Sequence, residues 1–182
     1  MAEDVTSCSI LGTCSAPTSL HFIDVLESEV RAFYDEQKSV PPKVIGRAAS
    51  ILSMNHPKLI ADAIQKHFGS RVDIYVNDAA ATDRTPVGGV EIGSFSNVLL
   101  ANLQVPAMII DLTVERKYFQ QNCRIIFTSS VKSTRYDHSA LMNGTTEAAD
   151  DAMARIYANA SGDNMPELEL MAGTLLISFS WN

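Results

Sequence analysis

Residues 68–80 read FGSRVDIYVNDAA, and this stretch decides the fold. Gly69 punctuates the end of one amphipathic segment. Val72, Ile74 and Val76 then alternate, and Tyr75 adds β-propensity, so residues 71–76 form a strand. Working upstream, Asn55 is placed as an N-cap with Pro57 in the first turn. Together they open a helix that runs to His67 and Phe68. Working downstream, residues 81–92 are rich in Gly, Pro, Thr and Asp and form a loop. A long helix comes next, from about Phe95 to Phe119, and Pro106 inside it predicts a kink or a tolerated break. Residues 124–129 (RIIFTS) are the second strong strand, residues 139–160 are helical, and residues 175–181 (LLISFSW) form a last strand.

The region before residue 55 continues the alternation. Residues 9–13 read as a first strand and residues 43–49 as another. Between them, residues 18–38 form a helix with Phe22, Leu26, Val30 and Phe33 at helical spacing, closed by Pro41 and Pro42. Strands alternating with helices predict one three-layer α/β/α domain spanning residues 1–182. Its parallel sheet has about five strands joined by right-handed crossovers, in the order 2-1-3-4-5 if the first strand is central.

A chain of 182 residues with 46% hydrophobic and 19% charged residues buries enough surface to need no disulfide or metal staple. The formal charge of −7 excludes a nucleic-acid partner, which requires clustered Lys and Arg. Cys8, Cys14 and Cys123 form no CxxC pair and read as reduced, small apolar residues, with no metal site. The N-terminus lacks a basic and apolar leader. The most apolar run, residues 98–110, is short and carries Asn102 and Gln104. The expectation is a cytoplasmic protein with no membrane partner.

Several motifs then stop looking generic. FGSRVDIYVNDAA resembles the fourth strand of the short-chain dehydrogenase/reductases, which normally ends Asn-Asn-Ala-Gly; here it ends Asn77-Asp78-Ala79-Ala80. FSNVLLANLQVP, from Phe95, resembles the next helix of that family. Asn102 falls on the asparagine that helps hold a proton-relay water. NCRIIFTSSV, from Asn122, resembles the fifth strand, and Ser130 falls on the substrate-orienting serine. HSALMNGTTEAADDAMARIYA, from His138, resembles the catalytic helix. The closest flavour is that of fungal polyketide ketoreductases. The resemblance covers residues 43–160 and implies a Rossmann-like fold and a homodimer paired through the helices near 95–119 and 139–160.

The departures from the family pattern fall on its chemistry. The family's catalytic tyrosine precedes its lysine by four residues. Aligned through Gly144 and Glu147, the tyrosine becomes Ser139 and the lysine Asn143. Counted forward from Ser130, the pair falls near Asn143 and Glu147. The first register matches more of the helix and is preferred; either one removes the pair. A serine is a poor acid beside a phenol, and an asparagine supplies no charge to lower a neighbouring hydroxyl's pKa. The Gly-rich turn that admits a pyrophosphate is also missing, its place being taken by residues 13–20 (TCSAPTSL). Asp78 would repel nucleotide phosphates. The segment before Asn77 is short by about one strand–helix unit. Tyr34 and Lys38 match Tyr-x-x-x-Lys literally but lie far upstream, on a solvated helix end.

The resemblance therefore implies a protein that has lost NAD(P)H hydride transfer and needs no cofactor. It would be repurposed for non-redox isomerase, cyclase or dehydratase chemistry on a hydrophobic secondary metabolite. Ser130 and Asn102 are the retained half of the site. Tyr136 and His138, in the loop before the catalytic helix, are candidate acid–base groups. Glu147 reads as structural. The alternatives are a non-catalytic partner or decayed relative, and a reductase that still uses NADPH.

Overall fold

The computed structural model describes residues 18–46, 49–83, 85–135, 138–163 and 171–177. The chain divides into two compact units, Met1–Ser50 and Ile51–Asn182.

In the first unit, helix α1 spans Thr18–Glu36. It stops two residues earlier than its apolar pattern predicts. Lys38 takes a left-handed φ of 54°, and Ser39 N–H caps the end on Tyr34 C=O at 3.0 Å. Lys38 thus stands off the helix that carries Tyr34, and the literal Tyr-x-x-x-Lys match loses the shared face such a pair needs. The strand expected over residues 43–49 does not form: residues 43–46 and 49 are irregular. Pro41 and Pro42, just before it, offer no N–H to start a ladder, and Gly46 weakens its middle. The strand expected at 9–13 lies outside the described residues.

The second unit opens with α2 (His56–Phe68), which ends at Gly69 with φ 60°. The helix starts where Asn55 predicts, but the Asn55 side chain makes no cap bond. Instead Pro57 sits in the first turn, where a missing N–H costs nothing. Next come strand β1 (Val72–Asn77), α3 (Ile92–Leu99) and α4 (Val105–Glu115). Between α3 and α4 the backbone widens into a π-turn at Leu100–Gln104. This is the break that Pro106 predicts: proline offers no N–H to the preceding turn, and the ladder re-forms with a wider step. Strand β2 (Phe119–Ser130) begins where the long helix was expected to end, because Lys117 turns the chain with φ 56°. A 3-10 turn (Val131–Ser133), helix α5 (Leu141–Asp163) and strand β3 (Met171–Ile177) complete it.

Among the described residues the sheet has three parallel strands in the order β1-β2-β3. The register slips between Val72↔Phe119 and Ile74↔Arg124, where Asn122 adopts φ 62°. The core lies on one face: Ile110, Phe119, Cys123, Ile125, Phe127 and Ala154 cluster, with Val72, Tyr75, Met153 and Tyr157 against them. Phe127 and Tyr157 stack at 6.2 Å. Right-handed crossovers from β1 to β2 and from β2 to β3, running the same way along the sheet, place both sets of helices on that face. The parallel α/β architecture is as expected, and among the described residues of the second unit α4 and α5 cover one face of the sheet. Cys123 is a buried core residue whose thiol burial pushes up to about 11, consistent with its reading as a small apolar side chain.

Residues Ile92–Glu115 are long and apolar enough to cross a membrane by length and composition. Here, however, Val98, Ala101, Val105, Ile109 and Ile110 are buried, and α4 packs on α2 while the π-turn packs on α5. The helix serves as a core element of the α/β unit.

Candidate functional site

Ligands of open parallel sheets bind at the C-terminal strand ends, which here are Asn77 and Ser130. Several hydrogen bonds clip the loop after β1 to this edge. Asn102, buried in the π-turn, accepts from Ala81 N–H at 2.7 Å through Oδ1. Its Nδ2 donates to Ala81 C=O at 3.0 Å and to Thr146 Oγ1 at 3.1 Å. In the first turn of α5, Asn143 Oδ1 accepts from Asp83 N–H at 3.2 Å. Leu141 N–H donates to Thr85 C=O at 3.2 Å, and Val87 N–H donates to His138 C=O at 3.3 Å. Ser94 Oγ donates to the Asp83 carboxylate, which ties the same loop to α3.

The π-turn explains why Asn102 can do this. A widened turn leaves a polar side chain room to reach out of the helix, toward a loop whose backbone groups need partners. Residues 142, 143, 146, 150 and 154 form the buried stripe of α5. Three of them, Asn143, Thr146 and Asp150, are polar where an ordinary amphipathic helix would be apolar.

Ser130 ends β2 half-buried. Its Oγ accepts from Lys132 N–H at 3.3 Å and caps the 3-10 turn, which leaves its own proton free to donate. His138 is exposed and lines a surface pocket with Lys132, Ser133, Arg135 and Thr145. Tyr136 lies outside the described residues. The structure thus joins Asn102 to α5 through Thr146 and holds Ser130 on the adjacent turn. It places His138 in a pocket that neither of those two residues lines.

Carboxyl groups dominate the remaining electrostatics. Burial raises the Glu147 pKa; the Ser129 hydroxyl, the Ser130 amide and the Lys132 charge pull against it, and Asp151 adds to the rise. Ser129 Oγ and Glu147 Oε2 are both buried without completing a hydrogen bond. Asp150 is 6% exposed. Burial, with Glu147 and Asp151 nearby, pushes its pKa up to about 7. Tyr75 is raised as well, first by burial and then by Tyr157 and Asp150, so Asp150 reaches toward the core tyrosines. Sequence reasoning read Asn143 only as the residue at a lost catalytic position and did not single out Thr146 or Asp150. The signal was present, in the polar stripe at helical spacing. Gly144 has a further reason to be glycine: a Cβ there would stand 2.9 Å from Lys132 C=O. The helix approaches the 3-10 turn too closely for any side chain.

Comparison with solved structures identifies the class of fold. A short-chain dehydrogenase/reductase from Serratia marcescens, solved as a double mutant, matches with a TM-score of 0.75 and 16% identity, over 92% of this chain and 62% of that one. A short-chain dehydrogenase from Burkholderia cenocepacia, solved in complex with NADP, matches at 0.73 and 16% over the same shares of 92% and 62%. The promiscuous reductase LugOII, which catalyses keto-reduction at C1 during lugdunomycin biosynthesis, matches at 0.72 and 14%, over 93% and 66%. The chain therefore has the fold of the short-chain dehydrogenase/reductases and polyketide ketoreductases, as its motifs imply. It spans 62% of the length of the first of these structures. No family model matches the chain, and no curated protein sequence does.

Proposed function

We propose that this chain has lost NAD(P)H hydride transfer and works as a non-redox enzyme of isomerase, cyclase or dehydratase type. Its substrate would be a hydrophobic molecule of secondary metabolism. One observation carries the reading. In neither register does the helix hold a phenol four residues before an ammonium: the two positions hold Ser139 and Asn143 in the preferred register, and Asn143 and Glu147 when counted from Ser130. Asn143 has its amide oxygen committed to the Asp83 backbone, and Glu147 is a half-buried carboxyl of raised pKa. An amide donates no proton to an alkoxide, and a carboxylate opposes the negative charge that such a step develops. The same carboxylate, with Asp78 after β1, adds negative charge where a dinucleotide would bring more. The residues here do not fit that cofactor, and no step is routed through it.

The chemistry that remains is proton transfer. Ser130 can donate its free proton to a substrate carbonyl at the strand edge. His138, the candidate base, would remove the adjacent C–H proton, and the enolate would then be reprotonated at another carbon, with Tyr136 the candidate donor. Electrons balance without an oxidant, and the net change is isomerisation, or elimination where a leaving group is present. Asn102 acts as a positioning residue, holding Ala81 and α5 together. LugOII reduces a ketone during lugdunomycin biosynthesis, which favours a ketone of secondary metabolism as the substrate class. By the same resemblance the chain is proposed to be a cytoplasmic homodimer paired through α3–α4 and α5.

The test is carbon-bound hydrogen exchange of a hydrophobic cyclic monoketone such as 1-tetralone in D2O, monitored by NMR without cofactor. Exchange above background that falls at least tenfold in Ser130→Ala supports the reading. Calorimetric heat from NADPH at millimolar concentration, together with ketone-dependent loss of absorbance, would replace it with an active reductase. A second reading, a non-catalytic partner of another enzyme, is favoured by Asn102 having both ends of its amide occupied. Co-purification with a full-length reductase, without exchange activity, would establish that one.

A further inference from the structure

The 3-10 turn, the loop after it and α5 line an open surface pocket of about 440 Å³, within the usual size range of a small-ligand site. Its lining comes from Leu141, Gly144, Thr145 and Ala148 on α5, a face distinct from the one that carries Asn143, Thr146 and Asp150. The charge there opposes that of the chain. Overall the protein carries −7, yet Lys132, Arg135 and His138 all line this one pocket and are exposed. Among the described residues, neither Lys132 nor Arg135 belongs to an ion pair. Glu147 feels the Lys132 charge from α5. Ser133 lines the pocket, and its buried Oγ has no partner among the described residues. The rest of the wall is apolar, from Val87, Leu141 and Ala148.

The geometry points to a binding site for a small amphipathic organic anion, a carboxylate or phosphate head on an apolar body. Arg135 offers a planar fork that matches either head group, Lys132 adds a point charge, and Ser133 supplies a hydroxyl otherwise unused. Val87, Leu141 and Ala148 take the body. Gly144 keeps the pocket's shape, since its missing side chain lets the Lys132 backbone stand beside α5. The site shares His138, but neither Ser130 nor Asn102, with the proposed enzyme. Binding is read here without turnover, so the two ideas fail separately.

The experiment is calorimetric titration of the full chain with octanoate, octyl phosphate, octanol and inorganic phosphate. The expected result is a dissociation constant below about 1 mM for octanoate or octyl phosphate, whichever head the site prefers, and at least tenfold weaker binding of octanol and inorganic phosphate. The double variant Lys132→Gln/Arg135→Gln should lose at least tenfold, and Leu141→Asp likewise. Arg31→Gln on α1 should leave binding unchanged, and circular dichroism checks that each variant is folded. Octanol binding as tightly as octanoate would make the site merely apolar. Inorganic phosphate binding as tightly would make it a plain anion site. Either outcome, no binding at all, or an unchanged double variant overturns the inference. Binding with no hydrogen exchange would leave it standing and remove the enzyme reading.

Discussion

Along β2, Cys123, Ile125, Phe127 and Ser129 are buried, while their neighbours Arg124, Ile126, Thr128 and Ser130 are only partly covered or exposed. The difference extends to β1. Tyr75 pairs with Ile125 and joins the core, whereas Ile74 and Val76 are 52% and 53% exposed. Both faces carry β-branched or aromatic residues. One is covered by α4 and α5, and the other is not covered by the described residues of 51–182. A full doubly wound sheet covers its second face with helices attached to strands running the other way from the centre. The three strands described here run one way only. What the contrast teaches is that apolar alternation records a strand, not which of its faces will be packed.

The largest expected effect sits on the packed face. Phe127 is fully buried and stacks on Tyr157, so Phe127→Ala should cost about 3–5 kcal/mol by urea denaturation. Ile74→Ala, on the open face and 52% exposed, should cost about 1 kcal/mol or less, because a half-covered side chain loses half the transfer energy and leaves no cavity. Equal losses at the two positions would break the comparison. Next comes Asn102→Ala. It removes one acceptor and two donor contacts and leaves the Ala81 N–H without its partner, so about 2–3 kcal/mol should be lost. If the variant is no less stable, water has taken over the amide's role and the loop is not clipped by it.

Much of this molecule was legible in its sequence. The strands at Val72–Asn77 and around residues 124–129, the break at Pro106 and the parallel architecture came from alternation, proline chemistry and the order of elements. Two features were misread for physical reasons. Residues 43–49 had strand composition, but two preceding prolines and Gly46 removed what a ladder requires. The long helix was extended to Phe119 because Tyr118 and Phe119 fit a helical apolar stripe as well as a strand. Only the left-handed turn at Lys117, invisible to periodicity, separates the two. The site was read through four residues. Asn102 proved to be a clip, Ser130 a turn cap with a proton to spare, and His138 part of a cationic pocket; Tyr136 falls outside the described residues. The polar stripe Asn143, Thr146 and Asp150 needed no alignment to find. It was passed over because a helix matched to a catalytic family is searched for its catalytic residues first.

That stripe gives the third effect. For Asp150 the sign runs opposite to the usual carboxylate. Its folded-state pKa is pushed up to about 7, above the value of about 3.9 in an unfolded chain. Between those two values the folded protein keeps a proton that the unfolded chain has released. Stability is therefore full below about pH 4 and falls as pH rises toward about 7. Glu147, raised for the same first reason, burial, adds a change of the same sign. Asp150→Asn removes the ionisation. It should raise the melting temperature at about pH 8 by roughly 5 °C, on the order of 1–2 kcal/mol, and flatten the pH dependence across that window. A wild-type melting temperature that rises over the same window would show the carboxyl to be ionised and paired in the fold.

The smallest effect is the sharpest test of the two faces. Val76→Thr is nearly isosteric and exchanges a methyl group for a hydroxyl. In a packed core it would cost well over about 1 kcal/mol, because the hydroxyl would be buried without a partner. At a position 53% exposed, water satisfies the hydroxyl and threonine keeps the β-propensity, so the expected change is within about 0.5 kcal/mol. A larger loss would mean that the face is covered in solution. Repeating the measurement over a roughly hundredfold range of protein concentration then identifies the cover. A loss that grows with dilution belongs to a second copy of the chain, because only association responds to concentration. A loss independent of concentration places the cover within the same molecule.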